Sequence, residues 1–387
     1  MRWASITAVL AAAAIGVLAW GSPAPSWTQS SAILIPVIWA SASNRWLAGC
    51  VVMSYTTAAS RGLIIGIAQF FDTHLAYGVA LWLAAGLFTG FAGWACWHKS
   101  AAIRVFLVPV LLIVIVVPPI GLVGWAHPLT AAGWLFPGMG WFGLFAVIIV
   151  SMLLAWRSPL LNALVAFLPI LAWSAYLSTP AQIPEGWQGH NTHFHFGVGS
   201  TENRDLIEEI RRHWAMQSQV AESVGPVHVL PETVGGKWNT QASTDWQRLL
   251  ADIPGHIVLM GAYEPADDGN YHNVLVEITS TGSRVVYRQR MPIPVGMWRP
   301  WSNSSAVPEW LNQSGAVAVA GQQVAVLVCY EALLIWPVLH SVLEKPALLI
   351  SIASVWWAPE SIHRSQHNAM QSWARLFDIS LVEAYNL

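Results

Sequence analysis

The first 180 residues carry almost no charge, and that limits what they can become. Arg2, Arg45, Arg61, Asp72, Lys99, Arg104 and Arg157 are their ionised side chains. Apolar runs fill the intervals at 3–20, 30–43, 46–71, 75–97, 102–123, 136–155 and 159–178. A helix that crosses a bilayer needs about 20 apolar residues, and every run but 30–43 approaches that length. Over the whole chain 10% of residues are charged, against about 25% in a typical soluble domain. The sequence therefore predicts a polytopic α-helical membrane domain over 1–180 with about seven transmembrane helices. The run at 3–20 looks like a secretory leader by itself, but the runs behind it make it a first transmembrane helix.

Loop charges set an orientation. With the N-terminus inside, Arg2, Arg45, Lys99, Arg104 and Arg157 fall on the cytoplasmic side, and Ser22–Ser30, Asp72 and 124–134 fall outside. That arrangement predicts a multi-pass protein of a bacterial inner membrane with its C-terminal domain in the periplasm. Arg61 is the misfit, because charge inside a span is expensive. Either the segment breaks near Thr56–Ser60 or Arg61 faces the bundle interior. Pro118-Pro119 stop or kink the fifth run, and Pro169 the last. No acid and base are paired across the runs as in a proton relay, which disfavours a transporter.

Most ionisable residues lie from Glu185 onward, so a second, water-facing domain is expected over 190–387. The net charge of −2 advertises no nucleic-acid surface. Periodicity in this part alternates between strand and helix, as in a layered α/β fold. Strands are expected at His193–Val198, Val224–Leu230, His256–Met260, Val324–Val328, Ala347–Ile352 and Ile379–Ala384, with a hairpin from Asn273–Ile278 to Arg284–Tyr287. Helices are expected at Thr201–Gln217, Ile335–Leu343 and Gln366–Phe377, with Glu202 and Asp205 early in the first and Arg211 and Arg212 late, as the macrodipole favours. The segment Tyr287–Pro300 holds prolines at 292, 294 and 300 and predicts a stiff, exposed, basic and aromatic loop, suited to a lipid headgroup or a partner.

Val324–Val328 is an unbroken β-branched run that leads straight into Cys329, Tyr330 and Glu331. A strand of that kind is buried in a largely parallel sheet, and chemistry in such sheets gathers at the carboxyl ends of strands. From position alone Cys329 is either an inert buried thiol or a nucleophile. Glu232 closes another strand, where a carboxylate is otherwise a solvated loop residue or a cap. Cys50 and Cys96 lie in apolar runs and read as packing, and no disulfide framework exists. His363 and His367 are four apart but have neither an HExxH pattern nor an obvious third ligand, and no glycine loop could cradle a phosphate. No metal and no other cofactor is expected.

The order of Pro231-Glu232-Thr233, a proline-rich loop and Cys329-Tyr330-Glu331 resembles the carbon-nitrogen hydrolase (nitrilase) superfamily. With the membrane half in front, the whole chain resembles the apolipoprotein N-acyltransferase-like branch, and more closely the TraB family of conjugal transfer proteins encoded by Agrobacterium-type plasmids. The resemblance implies an αββα sandwich and a Glu-Lys-Cys triad. It assigns Glu232 as general base, Cys329 as nucleophile and Glu331 as the supporting acid after it. Tyr263 and Asn273 match segments with less defined roles. Several positions depart from the family pattern. The lysine falls on Gln289, and the loop glutamate falls on Met297. Only the aromatic pair survives of an Asn-Asp-Ala-Trp-Phe-Gly element, here Ala353–Ala358. Gln366, His367 and Asn386 are familiar, and the chain stops at Leu387, where the family adds strands and a last membrane helix.

Losing one oxyanion donor costs roughly 10²–10³ in rate. Arg288 and Arg290 flank Gln289 but alternate to the other face of an extended segment, and Lys237 could reach inward from the loop after Glu232. The sequence thus leaves two readings. In the first, a conjugal transfer membrane protein moves or hydrolyses an acyl group through a Cys329 thioester, with a phospholipid or lipoprotein-like substrate. In the second, a catalytically impaired homologue is a structural or interaction protein, with components of the conjugation machinery as partners.

Overall fold

The computed structural model describes residues 2–21, 24–156, 167–178, 183–194, 206–266 and 268–387. Contacts divide the chain into two units. The first is Met1–Ala181 with Leu333–Trp336 and Ala358–Ile379, and the second is Gln182–Ala332 with Pro337–Trp357 and Ser380–Leu387. The units first meet at Ala181 and Gln182, and the later part of the chain contributes segments to both.

The first unit is helical: α1 (Arg2–Trp20), α2 (Leu34–Ala40), α3 (Arg45–Ala59), α4 (Leu63–Phe70), α5 (Leu75–Ala95), α6 (Ala101–Val116), α7 (Ala132–Leu135), α8 (Gly140–Ala155) and α9 (Leu168–Ser178). Among the described residues α1 and α5 are long and apolar enough to cross a membrane, and two bent pairs raise the number of candidates to four. These helices are consistent with a membrane-anchored, multi-pass arrangement. Their outward side chains are apolar, with Leu87 60%, Phe91 56% and Phe145 61% exposed, which suits lipid rather than water. Arg157 and the start of the 159–178 run lie outside the described residues. The 30–43 run is displaced: it begins as a 3₁₀ segment at Ser26–Ile33 and passes directly into α2. At about 2.0 Å and 1.5 Å of rise per residue these two pieces total about 26 Å, nearer to a bilayer core than the sequence suggested.

Small residues let α3 and α5 approach closely. Gly86, Gly90 and Gly93 of α5 lie on α3, where a Cβ on Gly90 would stand 3.0 Å from the Met53 Cβ and one on Gly93 2.6 Å from Val52. Close backbone approach of this kind is how apolar helices associate without a hydrophobic drive between them. The Arg61 misfit is resolved by a break. The third run stops at Ala59 and resumes at Leu63 with a 59° bend, and Ser60 Oγ donates to Thr56 O at 2.6 Å. Helix Glu360–Phe377 starts after Pro359, six residues earlier than expected, and ends at Asp378 in the left-handed region. Ser372 Oγ donates to Thr130 O, and Ser26 Oγ to Asn368 Oδ1 at 2.7 Å.

The second unit is α/β. One sheet has the order β1 (Trp187–Gly189), β2 (Val227–Val229), β3 (Ile257–Pro265), β4 (Tyr271–Thr279), β5 (Gly282–Arg288). Its first three strands are parallel and the rest antiparallel. The other sheet has the order β6 (Val317–Val319), β7 (Gln322–Val328), β8 (Leu348–Ser354), β9 (Ser380–Asn386), with β7, β8 and β9 parallel. Every residue of β8 is buried, as the apolar run required. Helices α10 (Leu206–Ala221) and α11 (Thr240–Asp252) supply Met216, Val220, Trp246 and Leu250 to a core shared with β3, β4 and, from the segment after β2, Leu230 and Val234. Asn239 starts α11 by accepting from Ala242 N at 2.9 Å, an ordinary side-chain cap. Helix α12 (Ile335–Leu343) follows β7 as expected.

Three expectations need correction. Among the described residues the first strand is Trp187–Gly189; of the expected 193–198, His193 and Phe194 are not in a strand, and 195–198 lie outside the described residues. The next helix runs later, to Ala221, and 201–205 with Glu202 and Asp205 are likewise outside. The segment after β5 has no regular structure, but it is not exposed. Arg290 and Met291 are fully buried, their amides received by a carboxylate that the sequence pattern could not show.

Candidate functional site

Cys329 sits where β7 stops. Its φ is 51°, in the left-handed region that non-glycine residues avoid. Glu331 holds this turn. Its Oε2 accepts from Val328 N at 2.8 Å, and its Oε1 accepts from Arg290 N at 2.6 Å and Met291 N at 3.0 Å. Tyr287 Oη donates to both oxygens, at 3.1 and 2.9 Å. Arg290 Nε lies 3.9 Å from the same carboxylate and also donates to Tyr287 Oη at 2.8 Å. Two further contacts fix the guanidinium on α12, His340 Nδ1 at 2.9 Å and Ser341 Oγ at 2.8 Å. Burial pushes the Glu331 carboxyl up, and Arg290 and the Val328 and Met291 amides oppose the rise.

Glu232 comes from the loop after β2 and is 3% exposed. Its Oε1 accepts from Asn273 Nδ2 at 2.5 Å and its Oε2 from Ser354 N at 2.8 Å, and it is hydrogen-bonded to Cys329. The loop reaches this place because β3 has glycine under it. A Cβ on Gly261 would lie 2.4 Å from Pro231 O and 2.5 Å from the Glu232 Cα. Burial pushes the Glu232 carboxyl up from 4.5 to about 7, against the Ser354, Asn273 and Cys329 hydrogen bonds, and the Glu331 charge adds to the rise.

Gln289 follows β5 and is 1% exposed. Its Nε2 donates to Val328 O at 3.0 Å, and its Oε1 accepts from Asn273 Nδ2 at 3.0 Å. Glu232, Asn273, Gln289, Val328 and Cys329 thus form one connected set. All the residues singled out by sequence for catalysis meet here, with Glu331 behind the turn. Lys237 does not join them, since it is exposed on the loop after Glu232. Arg288 bonds Glu264 at 2.8 Å and Arg290 bonds the Glu331 cluster, so alternation did carry both away from Gln289. Among the described residues Glu232 has no cationic partner, and Asn273 Oδ1 is buried with no hydrogen-bond partner. No group of His, Cys, Asp and Glu among the described residues could hold a metal ion.

Chemically, the set offers a buried carboxyl titrating near neutrality, in contact with a thiol on a strained turn. A general base is most useful when its pKa lies near the working pH. A thiolate, however, is normally supported by a nearby cation, and this site offers only neutral donors. Sequence reasoning missed Tyr287, Ser341 and His340, the partners of Arg290. A buried arginine implies partners, but the sequence did not announce that Arg290 was buried.

No family model matches the chain. Two relatives match it nearly end to end. Conjugal transfer protein TraB of Agrobacterium fabrum (strain C58) is 35% identical over 421 residues, covering 100% of this chain and 93% of that one. A probable conjugal transfer protein TraB of Sinorhizobium fredii (strain NGR234) is 35% identical over 391 residues, covering 97% of both. Solved structures resemble part of it distantly. A carbon-nitrogen hydrolase from Helicobacter pylori G27 gives a TM-score of 0.38 at 14% identity, over 51% of this chain and 72% of that one. An amidase from Nesterenkonia sp. gives 0.34 at 16%, over 51% and 74%.

Proposed function

The chain belongs to the TraB family of conjugal transfer proteins, and on that premise we propose that it is a membrane component of plasmid conjugation whose α/β domain binds partners rather than turning over substrate. In this reading the apolar half anchors it in the inner membrane in several passes, and the loop charges support a periplasmic α/β domain. Components of the conjugation apparatus are its partners.

One observation carries this reading: Gln289 stands inside the Glu232–Cys329 set, in the place where the resemblance puts a lysine. Transfer of the Cys329 proton to Glu232 would leave a thiolate in a buried site with no compensating cation. The oxyanion of an acyl adduct would then add charge that a neutral amide cannot offset, at a cost of roughly 10²–10³ in rate for a lost donor. The test is plasmid transfer from a donor lacking the chromosomal or plasmid copy and carrying Cys329→Ala. Full transfer is the expected result; loss of transfer with normal membrane levels of the variant would overturn the reading.

A second reading keeps the acyl chemistry, with Glu232 as base and Cys329 as nucleophile on a phospholipid or lipoprotein-like substrate. The Glu232–Cys329 hydrogen bond and the strained turn favour it. The purified chain is incubated with labelled phospholipid and examined for a hydroxylamine-labile thioester by mass spectrometry. A Cys329-dependent adduct that weakens in Glu232→Ala establishes this reading. Absence of an adduct in the native chain, with none gained by Gln289→Lys, removes it.

A further inference from the structure

The helical unit holds a polar cavity that the function proposed above does not use. The cavity has a volume of about 420 Å³ and is lined by Ala24, Pro25, Ser26 and by Glu360, His363, Arg364, His367 and Asn368. That volume falls within the roughly 300–1,000 Å³ of small-molecule sites. The helical lining residues share one face of Glu360–Phe377, since they recur at intervals of three and four. The remaining wall is the chain that follows α1, whose apolar helix ends at Trp20.

Arg61 comes near Gly21 from the break between α3 and α4, where its Nη1 donates to Ala58 O at 3.1 Å. A Cβ on Gly21 would lie 2.9 Å from an Arg61 Nη2, and one on Gly62 2.7 Å from Ser361 Oγ. Arg364, His363, His367, Ser26 and Asn368 therefore line the cavity, and Arg61, outside that lining, approaches Gly21 at the end of the apolar helix. Glu360 is the one acid in the lining, and it is engaged by Arg364 at 2.6 Å. That ion pair is half exposed, at 44% and 66%, and such surface pairs contribute little, so a better anion can displace it.

We infer that this cavity binds a phosphate group, of the kind carried by an anionic phospholipid headgroup or by a free phosphate. Arginine presents a planar fork of donors that matches phosphate oxygens. The end of an apolar helix is the level at which headgroups meet the protein. Nothing in the site depends on Cys329 or on turnover.

The experiment uses the full chain in a neutral detergent, with water-soluble short-chain phosphatidylglycerol, short-chain phosphatidylcholine and inorganic phosphate as separate titrants, read by thermophoresis. Phosphatidylglycerol should bind, and Arg61→Gln with Arg364→Gln should weaken it about tenfold or more. Glu360→Gln frees Arg364 and should bind more tightly, a gain that a misfolded variant cannot produce. Equal binding by inorganic phosphate assigns the site to the free ion; binding by phosphatidylglycerol alone assigns it to lipid. Failure of every titrant to bind, or indifference to all three substitutions, overturns the inference.

Discussion

Two buried glutamates stand in the same unit with opposite surroundings. Glu331 has an arginine, a tyrosine hydroxyl and three backbone amides. Glu232 has one amide, one asparagine and a thiol, and no cation. A fully partnered carboxylate is a fastener, fixing the turn that carries Cys329 to the segment after β5. A carboxyl with few, neutral partners keeps its proton up to about neutrality and stays free to exchange it. The contrast shows that proximity to the cysteine and strength of partnering are separate properties, and that buried Arg290 pairs with the fastener.

The largest effect should come from breaking the fastener. Glu331→Ala strands Arg290 in the core, and removing one member of a buried pair costs about 3–5 kcal/mol. A marked fall in the melting temperature is expected in detergent, with loss of order at Cys329 seen as faster alkylation. An unchanged melting temperature would mean that Tyr287, His340 and Ser341 hold Arg290 without the carboxylate.

The next effect separates the two glutamates by pH. The folded pKa of Glu232 lies above its unfolded value, so folding takes up a proton between about 4.5 and 7. The contribution is complete below 4.5 and is lost as pH rises through about 7. The rise corresponds to about 3 kcal/mol. Glu232→Gln should therefore lose less stability than the native chain between pH 4.5 and 8, as read from melting temperatures across that range. Comparing the two proteins cancels His228, which burial with His190 and His256 pushes down to about 4. Its contribution has the opposite sign, present above 6.5 and lost as pH falls through about 4. Parallel curves for both proteins would refute the neutral-acid description of Glu232.

The smallest effect is expected at Lys237. It is exposed, and surface changes away from special features stay within about 0.5 kcal/mol. Lys237→Ala should leave stability and the alkylation rate of Cys329 unchanged. A slower alkylation would show that Lys237 supplies the cation after all.

Much was legible along the chain because it rests on local periodicity. The apolar runs, the β-branched strand into Cys329, the hairpin and helix Ile335–Leu343 each follow from residues a few positions apart. The break at Arg61 was legible too, since a charge in an apolar run has few solutions. By itself the sequence also placed Glu232 and Cys329 at strand ends, and the resemblance set Gln289 at the position of a lysine. It could not show that Asn273 and the Ser354 amide would complete the set, or that Arg290 would be buried rather than displayed. Those facts join residues tens of positions apart, through strand register and through the close approach at Gly261. A hydrogen bond depends on where two segments meet, and only the packed sheets decide that.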